Sequence, residues 1–194
     1  MDFAPELLLP NRIGLPSDIA YLREKYPEPQ WRAHRNFGEM SDFWLQVHGM
    51  LREEGQTLKR VTHAFREGRA DAPGLQRLFA PLLRRFLYHL EGHHSIEDAQ
   101  LFPRFRSLDR RMVVGFDLLE NDHAIIHEKL VASAERGQNL VAALAEGGAA
   151  ARRAADAYAA HSDRLLDWLM RHLSDEEDLV IPAMLEHTDW AILS

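Results

Sequence analysis

His93 is followed by Glu97 and then by Pro103, and the same trio recurs without a gap as His172, Glu176 and Pro182. A four-residue step along a helix turns through ~400°, so each histidine and its glutamate share one face, a turn apart. That is the spacing two groups need to ligate one metal ion, or neighbouring ions, from a single helix. His48 precedes His93 by 45 residues, and His127 precedes His172 by the same 45. The chain therefore reads as two copies of one helical hairpin, with His123 as an addition. A five-residue step from His172 would select Glu177, ~140° off the histidine's face, so Glu176 is the expected partner. Glu177 aligns with Asp98 in the repeat, and both are expected as outer or supporting groups.

Hydrophobic periodicity supplies the helices. Met40, Trp44, Val47, Leu51, Leu58, Val61 and Phe65 form an amphipathic stripe from about Gly38 to Arg66. A polar turn at Gly68–Gly74 leads to a second stripe, Leu75, Phe79, Leu82, Phe86, Leu90, His93, Glu97 and Leu101, expected to stop at Pro103. A third carries Phe116, Leu119, His123, Ile126, His127, Leu130, Ala134, Leu140 and Leu144 up to Gly147-Gly148. A fourth carries Tyr158, His161, Leu165, Trp168 or Leu169, His172, Glu176 and Leu179 up to Pro182. No strand pattern competes. The expectation is an all-α fold, an antiparallel up-down four-helix bundle over residues 38–185.

Residues 1–37 hold Pro5, Pro10, Pro16, Pro27 and Pro29, which break any long helix, although Ser17 to Lys25 has room for a short one. They are expected to form an arm packed on the bundle through Leu7, Leu8, Leu9, Ile13, Tyr21 and Trp31. Residues 186–194 are a short tail closing on Trp190 and Leu193.

In such a bundle, early positions of the first and third helices share a level with late positions of the second and fourth. His48, His93, Glu97, His123, His127, His172 and Glu176 should thus converge as ligands. Imidazole with carboxylate suits iron, manganese or zinc better than Cu(I), and a tetrahedral zinc would leave several of these ligands unused. If both carboxylates bridge two octahedral ions and an oxide or hydroxide joins them, one position stays open to a small ligand. Around the site, His89, His161, Trp44, Phe86 and Trp168 are expected as supporting or pocket-lining groups. His94 points ~100° off the His93 face and is expected to lie outside the cluster.

Residues 38 to 185 resemble the hemerythrin-like, or HHE cation-binding, domains. The resemblance rests on His48, the region from His93 through Glu97 to Leu101-Phe102-Pro103, His123 with His127, and His172 with Glu176. It implies a four-helix bundle holding two non-haem iron ions through five histidines and two bridging carboxylates. Three histidines would serve one iron and two the other, with Glu97 and Glu176 bridging. It also implies a role in carrying or sensing dioxygen, or in responding to nitric oxide or iron status. The oxygen carriers place an aspartate five residues after the last histidine, where this chain has Glu177. The iron–sulfur repair members carry a cysteine-bearing segment, and this chain has no cysteine.

A net charge of −7 argues against nucleic acid or an anionic membrane as partner. The acidic start and the lack of a long apolar run point to a cytoplasmic protein. The expected function is binding or sensing of dioxygen, nitric oxide or peroxide at an open iron position, with any protein partner unspecified. The first rival is a di-iron enzyme reducing peroxide or oxygen, with His89 or His161 relaying protons. The second is a metal-free interaction bundle. A ferritin-like site built on Glu91-x-x-His94 and Glu120-x-x-His123 is disfavoured, because Glu91 and His94 lie off the apolar stripe.

Overall fold

A computed structural model describes residues 3–193. Among the described residues all regular structure is helical. Six α-helices follow in order: α1 Glu39–Arg66, α2 Ala72–Ile96, α3 Phe102–Leu108, α4 Val113–Glu146, α5 Gly148–His187 and α6 Asp189–Leu193. A π-turn, Glu97–Leu101, joins α2 to α3, and short 3-10 helices occupy Pro5–Leu7, Glu28–Ala33 and Arg110–Met112. None of these helices is long and apolar enough to cross a membrane.

Local chemistry explains the boundaries. Gly68, with φ at +74°, follows the end of α1, and Asp71 opens α2 by accepting from the Gly74 amide at 2.8 Å. Gly147 and Gly148 take positive φ, which lets α4 end and α5 begin with almost no connection. Neither expected proline stop holds. Pro103 falls in the first turn of α3, directly after the π-turn, and the helical path runs on past it. Pro182 lies inside α5, within a run from Leu179 to Leu185 that is buried throughout, and packing there outweighs one lost hydrogen bond.

The chain divides into two compact units. One comprises Met1–Gly49, His93–Ile125 and Leu169–Ser194. Its core joins Leu15, Ile19, Leu22 and Trp31 to Trp44, Phe102, Phe105, Phe116, Val180 and Met184. Residues before α1 therefore contribute to this core, with Leu9 fully buried as well. Ile13, an expected anchor, is instead 93% exposed, and the neighbouring Arg12 is buried in its place. Ser17 to Lys25 forms turns rather than a helix. In the tail Ile192 is buried while Trp190 stays exposed; the Leu193 side chain is outside the described set. The π-turn accommodates an extra residue and rotates the helix beyond it, so Phe102 rather than Leu101 is fully buried.

The other unit comprises Met50–Gly92 and Ile126–Trp168. Leu58, Phe79, Phe86, Ile126, Leu140, Tyr158 and Leu165 are among its buried residues. Phe79 meets Tyr158 edge to face, with ring centroids 4.7 Å apart. Replacing Phe79 with alanine should cost about 3–5 kcal/mol in urea unfolding, the usual range for emptying a buried aromatic site.

Candidate metal centre

Within the first unit, His48 of α1, His93 and His94 at the end of α2, Glu97 at the start of the π-turn, His123 of α4, and His172 and Glu176 of α5 come together. Two groups form. His48, His93, Glu97 and Glu176 each offer one atom within a 4.8 Å span, and so do His94, His123 and His172. The Nε2 atoms of His48 and His93 are 3.2 Å apart, and those of His123 and His172 are 3.1 Å apart.

The glutamates stand between the groups and divide their oxygens. Oε1 of Glu97 lies 3.0 Å from His93 Nε2, and its Oε2 lies 3.6 Å from His123 Nε2. Oε1 of Glu176 lies 3.1 Å from His48 Nε2, and its Oε2 lies 3.4 Å from His172 Nε2. On a helical wheel Glu97 sits ~40° from His93 and ~60° from His94, which places it between the two histidines of its own helix. Both oxygens of Glu97, Oε2 of Glu176 and Nε2 of His94 are buried without a hydrogen-bond partner. Buried carboxylate oxygens left in this way are costly unless a cation meets them.

Carboxylates also fix the ring orientation from outside. His48 Nδ1 lies 2.8 Å from Glu177 Oε1, His123 Nδ1 lies 2.7 Å from Asp98 Oδ1, and His172 Nδ1 lies 3.4 Å from Asp122 Oδ2. An ionised carboxylate only accepts, so each ring places an N–H on Nδ1 and turns its Nε2 inward, where a metal would take the lone pair. Glu177 and Asp98, paired by the repeat, thus do the same job in the two halves. Trp44 donates its indole N–H to Glu176 Oε1 at 2.6 Å and packs edge-on to His93. His94 stacks on His123 with centroids 3.9 Å apart, and Phe102 stacks near His123 at 5.3 Å.

The side chains alone resolve their crowding with protons. Burial pushes Glu97 well above the usual carboxylate range, and the charge of Glu176 adds to it. Burial would raise Glu176 too, but His48 and its neighbours outweigh that and hold it below its ordinary value. Burial opposes the charging of His48, yet Glu176 and Glu177 prevail and hold it at about 9. His93 is pushed down to about 3 by burial, against the pull of Glu176. Burial also drives His94 well below the ordinary imidazole value. Metal binding would displace such protons, because both ligand types bind deprotonated.

Six of the seven expected ligand candidates are brought together, and His127 is not. The buried stripe of α4 runs through Leu119, Asp122, His123, Ile126 and Leu130, so Ile126 takes the inward position one turn after His123. His127 is left with its side chain 56% exposed, 2.9 Å from Glu91. His94 supplies the fifth imidazole instead. The signal for it is present in the sequence: measured from Glu97 rather than from His93, it lies on the inner face.

Of the expected supporting residues, Trp44 touches the cluster. His89 is partly exposed and pairs with Glu54, His161 is buried with Nε2 2.9 Å from the Lys129 carbonyl, and Lys129 lies over Trp168. Those three and Phe86 belong to the other unit and its own contacts. Asp122 and Arg12 carry no sequence pattern that marks them.

The described residues thus include two adjacent groups able to hold metal ions, flanked by carboxylates. No curated protein and no solved structure matches the chain. The hemerythrin HHE cation binding domain matches residues 39–185. The matched span includes all seven clustered side chains, and the chain belongs to the hemerythrin HHE cation-binding domain family.

Proposed function

We propose that this chain is a non-haem di-iron protein that binds or senses dioxygen, nitric oxide or peroxide at an open iron position. Its long helices α1, α2, α4 and α5 would form an antiparallel up-down bundle around the centre, which the short connections from α1 to α2 and from α4 to α5 favour. The observation that carries this proposal is the division of the two buried glutamates, each with one oxygen toward His48 and His93 and the other toward His123 and His172. A carboxylate placed in that way could offer one oxygen to each of two ions.

His94, His123 and His172 would hold one iron, and His48 and His93 the other. The second group has one imidazole fewer, so it would leave more room for a small ligand, and Trp44 packs against both of its histidines. Bound iron supplies reversible ligand binding and redox change. The protein holds the His48, His123 and His172 rings by their Nδ1 atoms, fixes Glu176 through Trp44, and surrounds the cluster with buried aromatic side chains. Iron suits this mixed set; manganese is the next candidate, and zinc fits fewer of its donors.

Anaerobic reconstitution of untagged protein with Fe(II) should give about two irons per chain, as in other di-iron bundles. Exposure to air should give an absorption spectrum that reduction abolishes. Iron well under one per chain, with no gain on reconstitution, would refute the proposal in favour of a metal-free bundle. Steady consumption of peroxide by the loaded protein would replace the binding role with the enzymatic one.

A further inference from the structure

We propose that Arg12 is a positioning residue of the metal centre, coupling the N-terminal segment to His172 through Asp122. The inference rests on His172 being a ligand, as proposed above. Arg12 lies outside the residues matched to the family, yet its side chain is only 1% exposed. Both of its carboxylate partners are buried.

The guanidinium is held from three directions. Nε donates to Asp175 Oδ2 at 2.7 Å, and Nη1 donates to Asp122 Oδ1 and to the Leu7 carbonyl, each at 2.9 Å. Nη2 donates to Asp122 Oδ2, the same oxygen that faces His172 Nδ1. The Leu15 amide donates to the other oxygen of Asp175 at 3.2 Å. Asp122 therefore cannot turn without breaking a two-point contact with Arg12, and its Oδ2 stays aimed at the imidazole.

A metal on His172 Nε2 would confine the ring proton to Nδ1, the tautomer that donates to Asp122. Metal at the ring and arginine at the aspartate then favour the same Asp122 position. By linkage, each strengthens the other by the same factor. The N-terminal segment becomes a strap whose seating reports whether the centre is loaded. The fork is what Arg12 supplies: a lysine keeps the charge but reaches these acceptors as a single point.

The test is a double-mutant cycle read by chelator competition for Fe(II), with circular dichroism to confirm folding. Arg12→Lys and Asp122→Asn should each weaken iron binding about tenfold, the low end for loss of a supporting contact. The double variant should be no weaker than Asp122→Asn, since Arg12 acts through Asp122. Wild-type affinity in Arg12→Lys, or additive losses in the double variant, overturns the inference while leaving the metal proposal intact. Wild-type protein that takes up no iron overturns the metal proposal itself.

If Arg12→Lys fails to fold, trypsin on the wild-type protein decides. Cleavage after Arg12 requires the guanidinium to leave its carboxylates, whereas Arg69 is in an exposed turn. Loading with Fe(II) should slow cleavage after Arg12 at least about tenfold relative to Arg69, matching the coupling factor. An unchanged ratio overturns the coupling.

Discussion

His94→Ala will strip iron from the reconstituted protein to less than half the wild-type content, while His127→Ala will leave iron and stability unchanged. His94 is buried, stacks on His123, and presents an Nε2 that no protein group meets. Its loss leaves His123 and His172 as the only imidazoles of their group and opens a cavity beside them. His127 is exposed, and its pairing with Glu91 is a surface contact of the kind worth at most ~1 kcal/mol. Metal analysis and the thermal midpoint of both variants decide the matter. Iron lost from His127→Ala but retained in His94→Ala would restore the ligand set expected from helical spacing.

Glu97→Gln will have two opposite effects. It removes the charge proposed to bridge the two ions, so iron binding should fall below detection in a reconstitution that fully loads the wild type. The metal-free variant should nevertheless melt higher than metal-free wild type. Glu97 is wholly buried beside Glu176, and an amide of the same shape relieves the repulsion between them. The sign comes from proton counting. Folding raises the Glu97 pKa above its unfolded value of ~4.3, so above that pH the unfolded chain holds fewer protons and stability falls as pH rises. Glutamine removes this slope between the unfolded and folded values. Each ~1 kcal/mol recovered would raise the midpoint by ~2–4 °C in a domain of this size. A lower midpoint for the variant, or retained iron, would show that Glu97 is not the strained carboxylate of the pair.

Helices impose a strict angular rule, which makes much of the molecule legible in its sequence. The four long helical segments, the His-to-Glu partners and the inward aim of His48, His123 and His172 all come from three- and four-residue steps. The partnership of Asp98 and Glu177 comes from the repeat. The rule misleads where it is applied from the wrong origin or past a break in it. Spacing from His93 sends His94 outward, although Glu97 sets the inner direction. The 45-residue repeat, which matches His127 to His48, draws His127 inward and makes His123 the addition, although Ile126 takes the inward position by apolar burial and His123 is the histidine in the cluster. Pro103 and Pro182 look like helix ends, but one falls in a first turn and the other inside a fully buried run. Arg12 cannot be found by spacing, because its partners stand more than a hundred residues away and meet it only in the folded chain.

The π-turn after Glu97 limits how far the two halves can be compared. His93 to Pro103 and His172 to Pro182 have identical spacing in sequence, yet α5 passes its copy as unbroken α-helix while the other half widens at Glu97. Equal intervals therefore cease to mean equal positions once the π-turn is passed. Pro103 and Pro182 are counterparts by count only, and so are Phe102 and Ile181. A role assigned to a residue beyond Leu101 does not transfer to its numerical twin, and exchanging the segments that follow the glutamates would misplace the aromatic ring that stacks near His123.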